Sequence, residues 1–133
     1  MGALSSLTFI RARASVPYRL KYVQGSRAAV ATLTALLARD IVVPVLEDLA
    51  ERTRMAGTRR LLIDLLDVPG TLDSREHERI GRQVAQHLGH LEKIASLVPA
   101  AKITRLSERG AQACGVQLRV FSERRAAMDW LAQ

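Results

Sequence analysis

Asp73, Ser74 and His77 carry the residue types of a hydrolase triad within a short stretch of chain. Their spacing argues against that chemistry. Neighbouring positions at a helix start project outward in turn, whereas a working triad converges from separate loops around a strand-to-helix nucleophile elbow, which this sequence lacks. His87 and His90, three apart, share a helix face, but His77 lies off it, and no cysteine or paired acid completes a ligand set. Favourable placement of imidazoles near a helix C-terminus accounts for them better. Cys114 is the only cysteine, which excludes an internal disulfide; beside Gly115 at a helix end it reads as a small buried hydrophobe. Asp64 sits in an apolar run. There it would border a ligand crevice or, the favoured reading, cap a neighbouring helix or accept hydrogen bonds from the following loop. No catalytic, metal or cofactor constellation emerges, so the expectation is a protein that is not an enzyme and carries no cofactor.

Two basic rows are the stronger signal. Arg75, Arg79 and Arg82 recur at helical spacing, as do Lys102, Arg105 and Arg109. If the helices that carry them lie side by side, the rows form a surface for an acidic protein or a phosphorylated ligand, partly neutralised by Glu78 and Glu108. A solvated charged face is the ordinary alternative. The net charge of +7 raises the question of nucleic acid, but aromatic residues are only 4% of the chain and the arginines are spread over every element. Stacking platforms for single strands are missing, and the composition argues against nucleic acid as the partner.

The elements that must position these residues follow from periodicity. With 133 residues, 48% hydrophobic and 25% charged, the chain fits one globular domain that buries roughly two thirds of its unfolded surface. No apolar run approaches the roughly 20 residues of a membrane helix. The first 14 residues have no basic start, and Arg11 and Arg13 interrupt their apolar part, so a cytoplasmic location is expected. Residues 7–14 and 18–23 alternate as strands, the second with Tyr18, Leu20 and Tyr22 on one face. Residues 29–36 read as a third strand of the same meander. Asp40 is the expected N-cap of a helix whose stripe is Ile41, Val42, Val45, Leu46 and Leu49, with Pro44 in the first turn, Gly57 at the end, and Glu47, Asp48, Glu51 and Arg52 facing solvent. Residues 61–66 form a buried strand. Asp73 and Glu76 make a capping box for the next helix, with Ile80, Val84, Leu88 and Leu91 as its buried stripe. Residues 93–98 and 116–121 are further strands, each followed by a helical pattern: residues 99–115, then the closing segment with Ala127, Trp130 and Leu131 on one face. The prediction is a single α/β domain over residues 1–133, with a mixed β-sheet of about six strands flanked by about four helices.

Leu61-Leu62-Ile63-Asp64-Leu65, together with residues 115–121 followed by Ala127, Trp130 and Leu131, resembles the SpoIIAA-like family, relatives of the STAS domains of anti-sigma-factor antagonists. The resemblance runs over most of the chain. It implies a mixed sheet flanked by helices, similar to the STAS and CRAL-TRIO folds, and no established activity for most members. In anti-sigma-factor antagonists a serine at the start of the helix after the Asp-Leu strand is phosphorylated by the partner kinase. Ser74 is the nearest match here, although the loop is one residue longer and Arg75-Glu76 replaces the glycine-containing continuation. A phosphate on Ser74 would lie at a helix N-terminus, where the amide hydrogens favour an anion.

Two functional expectations follow. The first is a noncatalytic STAS-like regulatory or protein-interaction module, using residues 68–74 and the basic rows. The second is a carrier or sensor of a small apolar or anionic lipid-like ligand, which requires a cavity between sheet and helices. An unprotected first strand would also permit edge-to-edge homodimers.

Overall fold

The computed structural model describes residues 8–13, 16–35 and 41–133, with side chains from Tyr18 onward. Six strands form one sheet in the order β1-β2-β3-β4-β5-β6. β1 (Thr8–Arg13), β2 (Val16–Gln24) and β3 (Ala29–Ala35) form an antiparallel meander. β3, β4 (Arg60–Asp64), β5 (Lys93–Leu97) and β6 (Leu118–Phe121) run parallel. Parallel neighbours need crossovers, supplied by α1 (Val42–Ala56), α2 (Ser74–Leu88) and a shorter α3 (Leu106–Ala113). Because the strand order steps in one direction, crossovers of one hand place α1 to α3 on the same face. α4 (Arg124–Ala132) closes the chain and covers the other face.

Burial follows the pleat. Tyr18, Leu20 and Tyr22 are buried while Arg19, Lys21 and Val23 are exposed, as the alternation requires. At the sheet centre, Leu61 to Asp64 are buried on both faces. The main core joins Leu20, Leu33, Leu61, Ile63, Ile94 and Leu118 of the sheet to Leu46, Leu49, Val84 and Leu88 of the helices. A second core under α4 joins Leu62, Ala95 and Leu97 to Ala127 and Leu131, with Trp130 half-buried beside Phe121 at 5.8 Å between ring centroids. Arg60 and Lys93 donate to the Leu131, Trp130 and Gln133 carbonyl oxygens, holding cations at the C-terminal end of α4, where the helix dipole favours them.

Several details differ from the sequence reading. Asp48 is buried rather than solvated: it accepts from the Tyr18 hydroxyl at 3.1 Å and pairs with Arg52 at 3.2 Å. The phenol lies 30 residues away, across the sheet-helix interface, and helical periodicity alone does not report such a partner. β4 ends at Asp64, and Leu66 is exposed. The helix expected over residues 99–115 breaks into a 3₁₀ turn, Ala100–Lys102, and α3, with Arg105 in the left-handed region at φ 65°. Cys114 is exposed, because α3 ends at Ala113 and the chain turns outward through Gly115 at φ 84°. Leu91 lies beyond the end of α2 yet is buried. Expectations for Leu7, Ala14, Ser15, Leu36 and the Asp40 N-cap lie outside the described residues. Among the described residues, no helix is long and apolar enough to cross a membrane.

Candidate functional site

The carboxyl ends of β4, β5 and β6 open onto one region, bounded by the loop from Leu65 to Asp73, the 3₁₀ turn and the start of α2. The loop is anchored at its root: the Leu65 amide donates to the Leu97 carbonyl at 2.9 Å, and the Leu66 amide to Asp64 Oδ1 at 3.0 Å. Asp64 Oδ2 accepts from the Arg124 guanidinium at 2.6 Å, which ties the start of α4 to the same loop. Asp64 thus joins a helix end to a loop, in line with the structural reading of its buried carboxylate, and with Leu62 it faces α4.

α2 starts with the capping box read from the sequence. Asp73 Oδ1 accepts from the Glu76 amide at 2.8 Å, and the Asp73 amide donates to Glu76 Oε1 at 3.0 Å. This engages Asp73 as the cap and leaves Ser74, the first helical residue, exposed with its hydroxyl outside the cap. His77 is half-buried and turns instead toward the rim of a cavity under α2, so Asp73, Ser74 and His77 do not converge. His90 is placed by Thr53. The Thr53 hydroxyl donates to the Leu49 carbonyl at 2.7 Å, so the 2.8 Å contact to His90 Nε2 is a donation from the ring. Loss of water around the ring, then the charge of Arg54, hold His90 below its ordinary pKa. Among the described residues, no three His, Cys, Asp or Glu side chains gather as a metal would require.

α2 and α3 meet backbone to backbone. A Cβ on Gly81 would overlap the Ser107 carbonyl oxygen, and one on Gly110 would lie 2.5 Å from the Glu78 carbonyl oxygen. Only glycine at both crossing points permits this approach. The contact sets α2 beside α3, with Arg75, Arg79, Arg82, Arg105 and Arg109 exposed and Lys102 half-buried; the second row does not run along one helix, because Lys102 lies in the 3₁₀ turn and Arg105 precedes α3. Arg82 lies 3.9 Å from Glu78. Arg105 donates to Glu108 at 2.6 Å and to the Val120 carbonyl at 2.9 Å, while Glu108 accepts the Val120 amide at 2.6 Å. Buried Glu108 therefore pins α3 to β6, and Arg105 has a structural partner that Arg75, Arg79 and Arg109 lack among the described residues. The sequence reading missed the glycine crossing, although a mid-helix glycine in each element was its signal.

A cavity of about 280 Å³ lies between the sheet, α1 and α2. Leu33 and Ile63 line it from the sheet, Val45, Leu46 and Leu49 from α1, and Ile80 and Val84 from α2. Its rim holds Thr71, His77, Lys102 and Thr104. Lys102 Nζ donates to the Val68 carbonyl at 3.4 Å, a long bond that joins the 3₁₀ turn to the loop.

A meander leading into a parallel sheet, with three helices on one face and one on the other, defines a domain of SpoIIAA/STAS-like fold. Solved structures agree. An anti-sigma factor antagonist from Mycobacterium paratuberculosis superposes with a TM-score of 0.59 at 14% identity, over 87% of this chain and 95% of that one. RsbS from Moorella thermoacetica superposes with a TM-score of 0.50 at 17% identity, over 84% and 93%. No family model matches the sequence, and no curated protein matches it.

Proposed function

We propose that the chain is a noncatalytic regulatory module that works by binding a protein partner at the seam of α2 and α3. The contact surface comprises residues 68–73, Ser74, the row Arg75, Arg79 and Arg82, and the row Lys102, Arg105 and Arg109. One observation carries this reading: the glycine crossing sets α2, with its exposed Ser74, Arg75, Arg79 and Arg82, close beside α3. A fold shared with an anti-sigma factor antagonist supports it. Ser74 is the proposed modification site, because Asp73 caps the helix and leaves the Ser74 hydroxyl outside the cap. Phosphate there would cancel part of the basic field and change which partner the seam accepts.

The full-length chain and a triple variant, R75E/R79E/R82E, immobilised side by side and exposed to extract of the protein's own host, test the reading. A partner retained by the first and lost at least tenfold by the second is the expected result. Equal retention by both would sink it. Intact-mass and peptide analysis of protein from the same host reads the phosphate on Ser74.

The cavity favours a second reading, a carrier or sensor of a small apolar or anionic lipid-like ligand, since apolar side chains line its depth and polar groups gather at its rim.

A further inference from the structure

We infer that the cavity between the sheet, α1 and α2 binds a single-chain amphiphile of medium length whose head is a carboxylate, with Lys102 as its counter-ion. The inference rests on reading the cavity as a ligand site; it shares Thr71 and Lys102 with the proposed partner surface, while the arginines of α2 take no part in it. Size sets the first limit. About 280 Å³ holds roughly nine groups of water or methylene size, at about 30 Å³ each, which fits a chain of about eight to ten carbons. Among the lining residues there is no Phe, Tyr or Trp to stack a base, the one ring being the His77 imidazole at the rim.

Polarity orients the ligand. Val45, Leu46, Leu49 and Val84 surround the depth with aliphatic surface, where a polar head would lose its hydration without recompense. At the rim, Lys102 is the one lysine or arginine among the lining residues, and no aspartate or glutamate lines the cavity with it. Its ammonium makes a 3.4 Å bond to the Val68 carbonyl and, among the described residues, no ion pair. An ammonium so weakly held beside an apolar chamber favours an anionic head over a neutral or cationic one. A carboxylate is compact enough to sit there with the Thr71 and Thr104 hydroxyls also at the rim.

Titration of the full chain with decanoate, 1-decanol and decyltrimethylammonium, followed by methyl NMR shifts of Val45, Leu46 and Val84, tests the assignment. Decanoate is expected to bind saturably and to move those methyls, with decyltrimethylammonium at least tenfold weaker. Lys102→Met should weaken decanoate tenfold to a hundredfold, the span of a charge-assisted hydrogen bond, and leave decanol unchanged. Val84→Phe should abolish binding of both; Lys102→Met, on a half-buried turn, keeps the test alive should that core variant fail to fold. Decanoate bound no better than the cation, or equally by Lys102→Met, would overturn the carboxylate assignment and leave an apolar carrier standing. Saturable binding of none of the three probes would overturn the ligand reading as well.

Discussion

Replacing Gly81 with alanine should reverse the usual sign of that change in a helix. In an exposed helix interior, glycine to alanine stabilises by about 1 kcal/mol. Within α2 the new methyl would overlap the Ser107 carbonyl oxygen and lie 2.9 Å from both the Ser107 carbonyl carbon and the Ala111 amide nitrogen. These are backbone atoms of a packed helix. They cannot rotate away as the tip of a side chain can, so α2 and α3 must separate, which also loosens the buried Val84 and Ala111. Overpacking costs about 1–3 kcal/mol, and contact with three backbone atoms places this case at the upper end. With the propensity gain set against it, the net loss is about 2 kcal/mol. At an unfolding entropy of about 2.1 cal/mol/K per residue, 133 residues convert that loss into a fall in Tm of about 7 °C. Urea denaturation of the parent, Gly81→Ala, Gly110→Ala and the exposed control Gln86→Ala reads the effect. Both glycine variants should lose stability at unchanged denaturant slope while the control stays within about 0.5 kcal/mol. Gly81→Ala as stable as the parent, or more so, would refute the backbone-to-backbone seam.

Glu108→Gln should destabilise by about 1–2 kcal/mol, mainly by weakening the bond from the buried Val120 amide, since Arg105 is half exposed and its ion pair counts for less; an unchanged urea midpoint would contradict that role. His90 has a folded pKa below 6.5, so the unfolded chain binds the proton more readily. Its contribution to stability is complete above pH 6.5 and is lost as pH falls through the lower folded value, and His90→Gln should remove that part of the slope between pH 5 and 7. Glu92 is held below 4.5, chiefly by hydrogen bonds from Arg60 and then Arg59. Its small, solvent-screened contribution is present above pH 4.5 and lost as pH falls through the depressed value; carboxyl NMR should find the midpoint below 4.5, and an R59M/R60M variant should restore it.

Elements governed by local rules were legible in the residues. Alternation of Tyr18, Leu20 and Tyr22 with Arg19 and Lys21 marks a strand with one buried face, and the pair Asp73 and Glu76 marks a helix start by its own hydrogen bonds. What escaped depends on distant partners. Asp48 reads as solvated until Tyr18 approaches from another element. The break before α3 falls at Arg105, an arginine in a left-handed conformation that residue type alone gives no reason to expect. For the candidate site, helical spacing revealed Arg75, Arg79 and Arg82, whereas the break before α3 divides Lys102 and Arg105 from Arg109, and the close approach of α2 and α3 depends on Gly81 and Gly110, whose partners lie in the other helix. The requirement for a cavity followed from the carrier reading, but its position did not, because a gap is a property of packed surfaces rather than of any residue.

Partner binding at the seam of α2 and α3 can be read by site-specific photo-crosslinking of the full chain in its own host. A benzoylphenylalanine in place of Arg79 on α2 should give a partner adduct of one defined mass, while the same probe in place of the exposed Arg125 on α4, across the sheet, should give none. An adduct at position 125 and none at position 79, or none at either, would mean that no partner binds at the seam.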